Sequence, residues 1–593
     1  MTKRPPAVFA WRKPFAPTAV YVLFYAIPTI PFSFVVIFGL LPPFWGGPSR
    51  GLLTETHFAW DNTAAVAWNY AFDILSQHLP FPEYRRADVW VGLLENDTVW
   101  SNFLVRLGAT FAAAAWVIIV LSVRRYFYTG RTMGFEYASG PRLLEGRAAI
   151  RAANAAIAEE DSPRSNGLYL TRDLKLSLKR ELGSFGIFGT QGSGKTTVLK
   201  FLFAQLIDRA NTKLIILDQK GDFTAQWPSQ SVIFFAPHDQ RSHAWDIGAD
   251  VVTDMHAHEL AASLIPIPAG SSDPFWPEGA RQIAEALIIA QQRRYGKHWG
   301  FLELLYAFES SPTELRAMVE PIHRDVLEFL AVDEHGQFTR TAAGFVTHLR
   351  AKVMPMLRPL AISWGLVPKE KRVSLRSWLY GNGPDAQTLI LQNNTNFPEI
   401  SATWMRSVIR TLVRITGSSS FPDFEEKGQN IWFILDEFPQ IGHLPELLTI
   451  PETHRSKGVT LLLTAQAASQ IYTAYDKHQA DTLFTLLQTK IILQPGQGSG
   501  FVEKINGWLG QFQWRDPADS GTTDGGSRKS IAIHHDDPVS ASYMATLGKN
   551  KGRIEGLVVG LGSNPCRMSW PLQKWSIQRP GVLLVDWANR ENS

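Results

Sequence analysis

Gly189-Thr190-Gln191-Gly192-Ser193-Gly194-Lys195-Thr196 fits the phosphate-loop pattern G-x-x-x-x-G-K-[ST], and the fold follows from how it is read. Before it, the chain from Glu181 ends in an apolar run (Phe185, Ile187, Phe188) that predicts a short buried strand. After it, from Lys195 to about Arg209, apolar residues stand at Val198, Leu199, Leu202, Phe203, Leu206 and Ile207, which is helical spacing. Strand, glycine loop and helix form the context in which such a loop cradles phosphate. Glycines let the backbone approach the anion, and unpaired N–H groups at the helix start point at it. The candidate nucleotide contacts are Gly189 to Thr197. Among them Lys195 would reach the β- and γ-phosphates, and the Thr196 hydroxyl would hold Mg²⁺. A chance glycine-rich turn is the competing reading, and the flanking strand and helix count against it.

The chain has 593 residues, too many for one core, and length alone suggests about three or four domains. Its composition is globular, with 45% hydrophobic and 19% charged residues and 20 Trp. The net charge of +4 does not by itself argue for a nucleic-acid partner. Cys566 is the only cysteine, so an intrachain disulfide is excluded, and it reads as a small buried side chain.

Two segments are apolar enough to cross a bilayer. Thr18 to Leu41 carries no charge, with Pro28 and Pro31 inside it. Leu107 to Val123 is the second, lengthened to 103–123 if Arg106 snorkels to the interface. Lys3, Arg4, Arg12 and Lys13 precede the first, and Arg124, Arg125 and Arg131 follow the second. The intervening loop, 44–102, holds Arg50, Arg85 and Arg86 against seven acids, so both termini are expected in the cytoplasm. A cleaved signal peptide would need a shorter apolar run. A buried core helix would not explain the arginine pair at the end of the second segment.

Residues 131–180 read as a membrane-proximal connector with an alanine-rich helical stretch, Gly146 to Glu160. Strand runs follow at Leu214–Asp218 and Val232–Phe235, and again at Gln387–Leu391, Ile431–Leu435, Val459–Thr464 and Lys490–Leu493. The stretch 250–370 is mostly helical in pattern. The expectation is an α/β domain with a parallel sheet, built from 181–249 and 372–593, and an all-alpha domain inserted at 250–371. Residues 1–130 form the transmembrane region. Asp516 to Ser530, rich in Gly, Ser, Asp and Thr, reads as a loop or long hairpin.

Ile431-Trp432-Phe433-Ile434-Leu435-Asp436-Glu437 is an apolar strand ending in two acids, which a parallel sheet delivers to the edge where the phosphate loop sits. Asp436 suits the Mg²⁺ shell, and Glu437 suits a base or orienter for the attacking water. Alone, the pair is also what any acidic strand end looks like. Thr464-Ala465-Gln466 puts an amide at the same edge, where Gln466 could sense a γ-phosphate or be simply a polar strand end. Arg455, on a loop between strands, reads first as a solvated arginine, with an arginine finger as the sharper alternative. Asp218 lies some twenty residues beyond the glycines, which invites a dinucleotide reading. The glycine pattern is not G-x-G-x-x-G, however, and that reading leaves Lys195 and Thr196 unexplained.

Together with Leu217-Asp218-Gln-Lys-Gly-Asp222, Ala236-Pro-His-Asp-Gln-Arg241, Asp273-Pro-Phe-Trp276, Asp436-Glu-Phe-Pro-Gln-Ile-Gly442 and His454-Arg-Ser-Lys-Gly458, these features resemble the type IV coupling proteins of bacterial conjugation and type IV secretion. The resemblance covers nearly the whole chain. It implies a RecA-like P-loop NTPase domain with an inserted all-alpha domain, preceded by two transmembrane helices. It implies a homo-hexameric ATPase in the bacterial inner membrane that uses ATP and Mg²⁺. Its partners would be single-stranded DNA with a covalently attached relaxase, relaxosome accessory proteins and components of the secretion channel. The family's roles fall on Lys195 and Thr196 (phosphate and Mg²⁺), Asp436 and Glu437 (Mg²⁺ and water), Gln466 (γ-phosphate coupling) and Arg455 (a finger acting on a neighbouring subunit). The chain ends soon after Trp587, without the long acidic tail of some members, which leaves the helical insertion as the expected recognition surface. Two other functions stay open at this point: an FtsK-like pump for double-stranded DNA, and a non-motor docking platform for secreted protein effectors.

Overall fold

A computed structural model describes residues 108–117, 120, 136–160, 167–267, 273–496, 498, 500–516 and 532–589. The first expected span lies outside these residues, and so does most of the low-complexity stretch. Of the second span, 108–117 and 120 are described, and they are helical. Among the described residues no helix is long and apolar enough to cross a membrane.

One ten-stranded sheet organises the larger unit. Its strands are β1 (Phe185–Phe188), β2 (Thr212–Asp218), β3 (Val232–Phe235), β4 (Thr388–Gln392), β5 (Asn430–Leu435), β6 (Val459–Ala465), β7 (Thr489–Ile492), β8 (Gly548–Asn550), β9 (Arg553–Val559) and β10 (Cys566–Pro571). The order is β8-β9-β7-β1-β6-β5-β2-β4-β3, with β10 also pairing β9. From β7 to β3 every pairing is parallel. The expected parallel sheet needs correction at one edge, where β8, β9 and β10 are antiparallel and make the sheet mixed. Their sequence, Lys549 to Pro571, is punctuated by Gly552, Gly556, Gly560 and Gly562, and antiparallel neighbours need only tight turns where parallel ones need helical crossovers.

The central strands are apolar on both faces because both faces are covered. Leu214, Ile216, Trp432, Ile434 and Leu462 belong to one core, together with Val198, Leu199 and Leu202 of helix α1 (Lys195–Leu206). Ile215, Leu217, Phe433, Leu435 and Leu463 belong to the other. That second core runs on without interruption into the helices between β3 and β4: α2 (Asp254–Leu264), α3 (Phe275–Tyr295), α4 (Phe301–Glu309), α5 (Pro312–Val319) and α6 (Arg340–Trp364). It also takes in α7 (Pro398–Gly417), which lies between β4 and β5 in the chain. A short parallel pair, Ala244–Trp245 with Arg372–Val373, brings together the two chain segments that enter and leave the helical stretch. Cys566 is buried, and burial pushes its thiol up to about 11, which suits an inert packing residue.

Candidate active site

Parallel strands end on one edge, so the loops that follow β1, β6, β5 and β2 are neighbours in that order. The glycine loop follows β1. Its first residue, Gly189, donates its N–H to Ala465 O at the end of β6 (3.2 Å), and Thr190 N donates to Gln494 O beyond β7 (2.9 Å). Gly192 and Gly194 have φ of 80° and 109°, in the left-handed region that favours glycine. Gly194 is constrained twice. A Cβ there would also lie 2.6 Å from Ile554 Cδ1 of β9, so the antiparallel edge strand backs the loop. Gly194 caps the N-terminus of α1, and Lys195, Thr196 and Thr197 form its first turn. Thr197 N donates back to Gly194 O (3.0 Å), and the N–H groups of Lys195 and Thr196 at the helix start are the ones that suit an anion.

Lys195 is buried and makes three contacts that fix its amine at the mouth of the loop. Its Nζ donates to Gly189 O (2.7 Å) and Thr190 O (3.4 Å), and lies 3.1 Å from Glu437 Oε1. The side chains of Lys195 and Glu437 are only 7% and 8% exposed. Glu437 has φ 50°, a left-handed conformation that is strained for a residue with a Cβ. Its N–H donates to Thr464 Oγ1 (2.9 Å), and the same hydroxyl donates to Asp436 Oδ1 (2.7 Å). Thr464 on β6 thus pins both acids of β5. Burial, and then the adjacent Glu437 carboxylate, push the Asp436 carboxyl up to about 6, against the pull of Thr464 and Lys195. A second cation beside Asp436 would relieve that excess of negative charge. Among the described residues no cluster of three or more His, Cys, Asp or Glu side chains forms a metal site.

In the sequence Thr464 stands out only as the end of an apolar strand run leading to Gln466. The signal for its role is register, since Leu463 pairs with Leu435 and places Thr464 beside Asp436. Gln466 follows Ala465, the residue that accepts from Gly189, so it stands beside the start of the loop. Asp218 ends β2 and serves its own turn. It accepts from Lys220 N, Gly221 N, Thr224 N and Thr224 Oγ1 at 2.7–3.4 Å. Arg455 is elsewhere. It opens the turn before β6, where its Nη2 donates to Lys179 O (2.7 Å). Seven strand residues at ~3.3 Å each separate it from Gln466, roughly 20 Å, so it does not join the other candidates within one chain.

The family model of the type IV secretion-system coupling protein DNA-binding domain matches residues 169–542. Coupling protein TraD of Escherichia coli (strain K12) is 22% identical over 401 residues, 65% of this chain and 52% of TraD, so the chain spans about half the length of that curated relative. The unbound bacterial conjugative coupling protein TrwBdeltaN70 superposes with a TM-score of 0.61 at 17% identity, covering 76% of this chain and 96% of that one. TrwB solved with ADP and Mg²⁺ gives 0.58 at 17% identity, covering 76% and 98%. TrwB solved with the non-hydrolysable GTP analogue GDPNP gives 0.58 at 18% identity, covering 75% and 97%. These superpositions establish the shared fold. With the family model spanning more than half of its 593 residues, the chain belongs to the type IV secretion-system coupling proteins.

Proposed function

We propose that this chain is a membrane-anchored ATPase that delivers single-stranded DNA, with its attached relaxase, to a type IV secretion channel and drives its transfer. The observation that carries the reading is the continuous set Lys195–Glu437–Asp436–Thr464 at the mouth of the glycine loop. Gly189 to Thr197 would hold the phosphates of ATP, and Thr196 with Asp436 would hold Mg²⁺. When bound, the nucleotide supplies a phosphoanhydride whose hydrolysis releases the free energy for transport. Lys195 would offset phosphate charge, and Glu437, whose Oε1 lies 3.1 Å from Lys195 Nζ, would accept a proton from the attacking water. Gln466 is assigned the γ-phosphate contact. Arg455, too far from its own chain's loop, would serve a neighbour's site, which calls for a ring of subunits such as a homo-hexamer.

The domain division proposed is 181–249 with 372–593 for the motor and 250–371 for an all-alpha recognition domain, with 131–180 as connector. The spans 18–41 and 103–123 would anchor the protein with both termini in the cytoplasm. In the helical residues 108–117, Phe111 and Trp116 are 56% and 68% exposed, as lipid-facing side chains are.

The test uses the full-length chain in lipid nanodiscs, with ATP turnover titrated against single- and double-stranded DNA. Turnover should rise with single strands and vanish in Lys195→Ala. A flat response to DNA overturns the DNA role. Stimulation by duplex alone selects the double-strand pump, and DNA transfer that survives Glu437→Gln selects a docking platform.

A further inference from the structure

Three short helices stand around a cleft on the same sheet edge. Helix α8 (Ala468–Ala474) begins two residues after Gln466, α9 (Lys477–Leu486) follows it, and α10 (Phe501–Leu509) comes after β7. Gln466 N and Ala467 N both donate to Gln470 Oε1 (3.2 and 3.3 Å), which ties the start of α8 to the end of β6. At the start of α10, Phe501 is fully buried with its ring 4.8 Å from Phe188, the last residue of β1 before the glycine loop. The cleft has a volume of about 530 Å³ and is lined by Tyr472, Lys477 and Lys504. It is a shallow, open depression, the form a surface takes where an extended strand lies along it.

The lining is preorganised. Tyr472 OH donates to Asp481 Oδ1 (2.6 Å), and Lys504 Nζ donates to the same oxygen (2.6 Å) while lying 5.1 Å from the Tyr472 ring centroid. The Tyr472 ring also rests on buried Phe484, with centroids 6.2 Å apart. Two lysines stand beside the ring, Lys504 paired with Asp481 and Lys477 at the rim. A fixed aromatic ring beside two ammonium groups is the combination that holds single-stranded nucleic acid, whose bases stack on rings and whose phosphates pair with cations. The cleft also lies within the stretch matched by the DNA-binding domain model.

We infer that the Tyr472–Lys477–Lys504 cleft is a contact site for single-stranded DNA, placed so that an occupied strand is reported through α8 to Gln466 at the γ-phosphate position. The inference rests on the motor reading above and supplies the physical route by which DNA would stimulate hydrolysis. Strand binding would compete with the Lys504–Asp481 pair, stack a base on the Tyr472 ring and shift α8, whose first turn is bonded to the backbone of Gln466.

The experiment is again on the full-length chain in nanodiscs, with an oligo-dT probe. The half-saturating concentration for stimulation should rise at least fivefold in Tyr472→Ala, the loss of one stacked base. Tyr472→Phe should retain wild-type affinity, because it keeps the ring and loses only the hydroxyl bond to Asp481. Lys477→Gln should reduce the slope of log affinity against log salt by about 0.7, one phosphate contact on a single strand. Melting temperature and MgADP affinity of each variant report whether the fold and nucleotide site are intact. Oligo-dT carrying 5-iodouracil should photo-crosslink to Tyr472 itself. Wild-type stimulation with an unaltered Tyr472→Ala response overturns this site and leaves the motor reading standing. Equal losses in Tyr472→Phe and Tyr472→Ala also overturn it, by showing that the hydroxyl bond to Asp481 is what matters. A wild-type chain that ignores single strands defeats the single-strand export reading itself.

Discussion

Asp218 and Asp436 close two adjacent strands of one sheet, with Leu217 paired to Leu435, yet their surroundings are opposite in kind. In both, burial raises the carboxyl above its ordinary range. Asp218 receives four donors from its own turn, which stitch Lys220 to Thr224 into place behind it. Asp436 receives one, from Thr464, and has Glu437 as its chain neighbour. The first acid is satisfied and structural. The second is short of partners in a way that Mg²⁺ would complete. The difference teaches that a buried acid at a strand end is identified by what it lacks as much as by where it stands.

Exchanging each acid for its amide is the strongest way to break the comparison. Asp436→Asn should lower ATP turnover at least a hundredfold, the usual cost of removing a group that stabilises transition-state charge, and should not lower the melting temperature. Asp218→Asn should do the reverse. Its amide would face N–H donors with an N–H₂ group, at a cost of ~2–3 kcal/mol in chemical unfolding, with turnover per folded molecule retained. Equal effects of the two substitutions on turnover would erase the distinction.

Titration sharpens it next. Because the folded carboxyl of Asp436 sits near 6, above its ordinary 3.8, the folded chain holds that proton more tightly than the unfolded chain. Its contribution to stability is full below pH ~3.8 and is lost as pH rises through about 6. Mg²⁺ competes with the same proton, so affinity for Mg-nucleotide should weaken as pH falls through that window. Asp436→Asn should flatten both curves in calorimetric titrations. The smallest effect is expected from Thr464→Val. The Glu437 N–H would lose its acceptor, costing ~1–2 kcal/mol by denaturant melting, and the pH midpoint for Mg-nucleotide binding should move upward as Asp436 loses its one donor.

Much of the motor was legible in the chain because its signals are local. The strand before Gly189, the helix from Lys195 and the apolar strands ending at Asp218 and Leu435 stand where their periodicity places them. The antiparallel edge was not legible. Arg553 to Pro571 is short, mixed in polarity and glycine-punctuated, and the β7 residues that β9 pairs with lie 65 to 69 positions back in the chain. Its relevance to the site, Ile554 against Gly194, is a contact between residues 360 positions apart.

By itself the sequence determined that a glycine loop would join a buried strand to a helix at Gly189 to Thr197 and that two acids would follow a buried strand. Both depend on residue chemistry and on spacings of a few residues. Only the tertiary structure decided that Lys195 meets Glu437, that Thr464 pins both acids, that Asp218 is occupied by its own turn and that Arg455 is out of reach. Those facts follow from strand order and register, which are set by burying both faces of one sheet and are written in no single stretch of the chain.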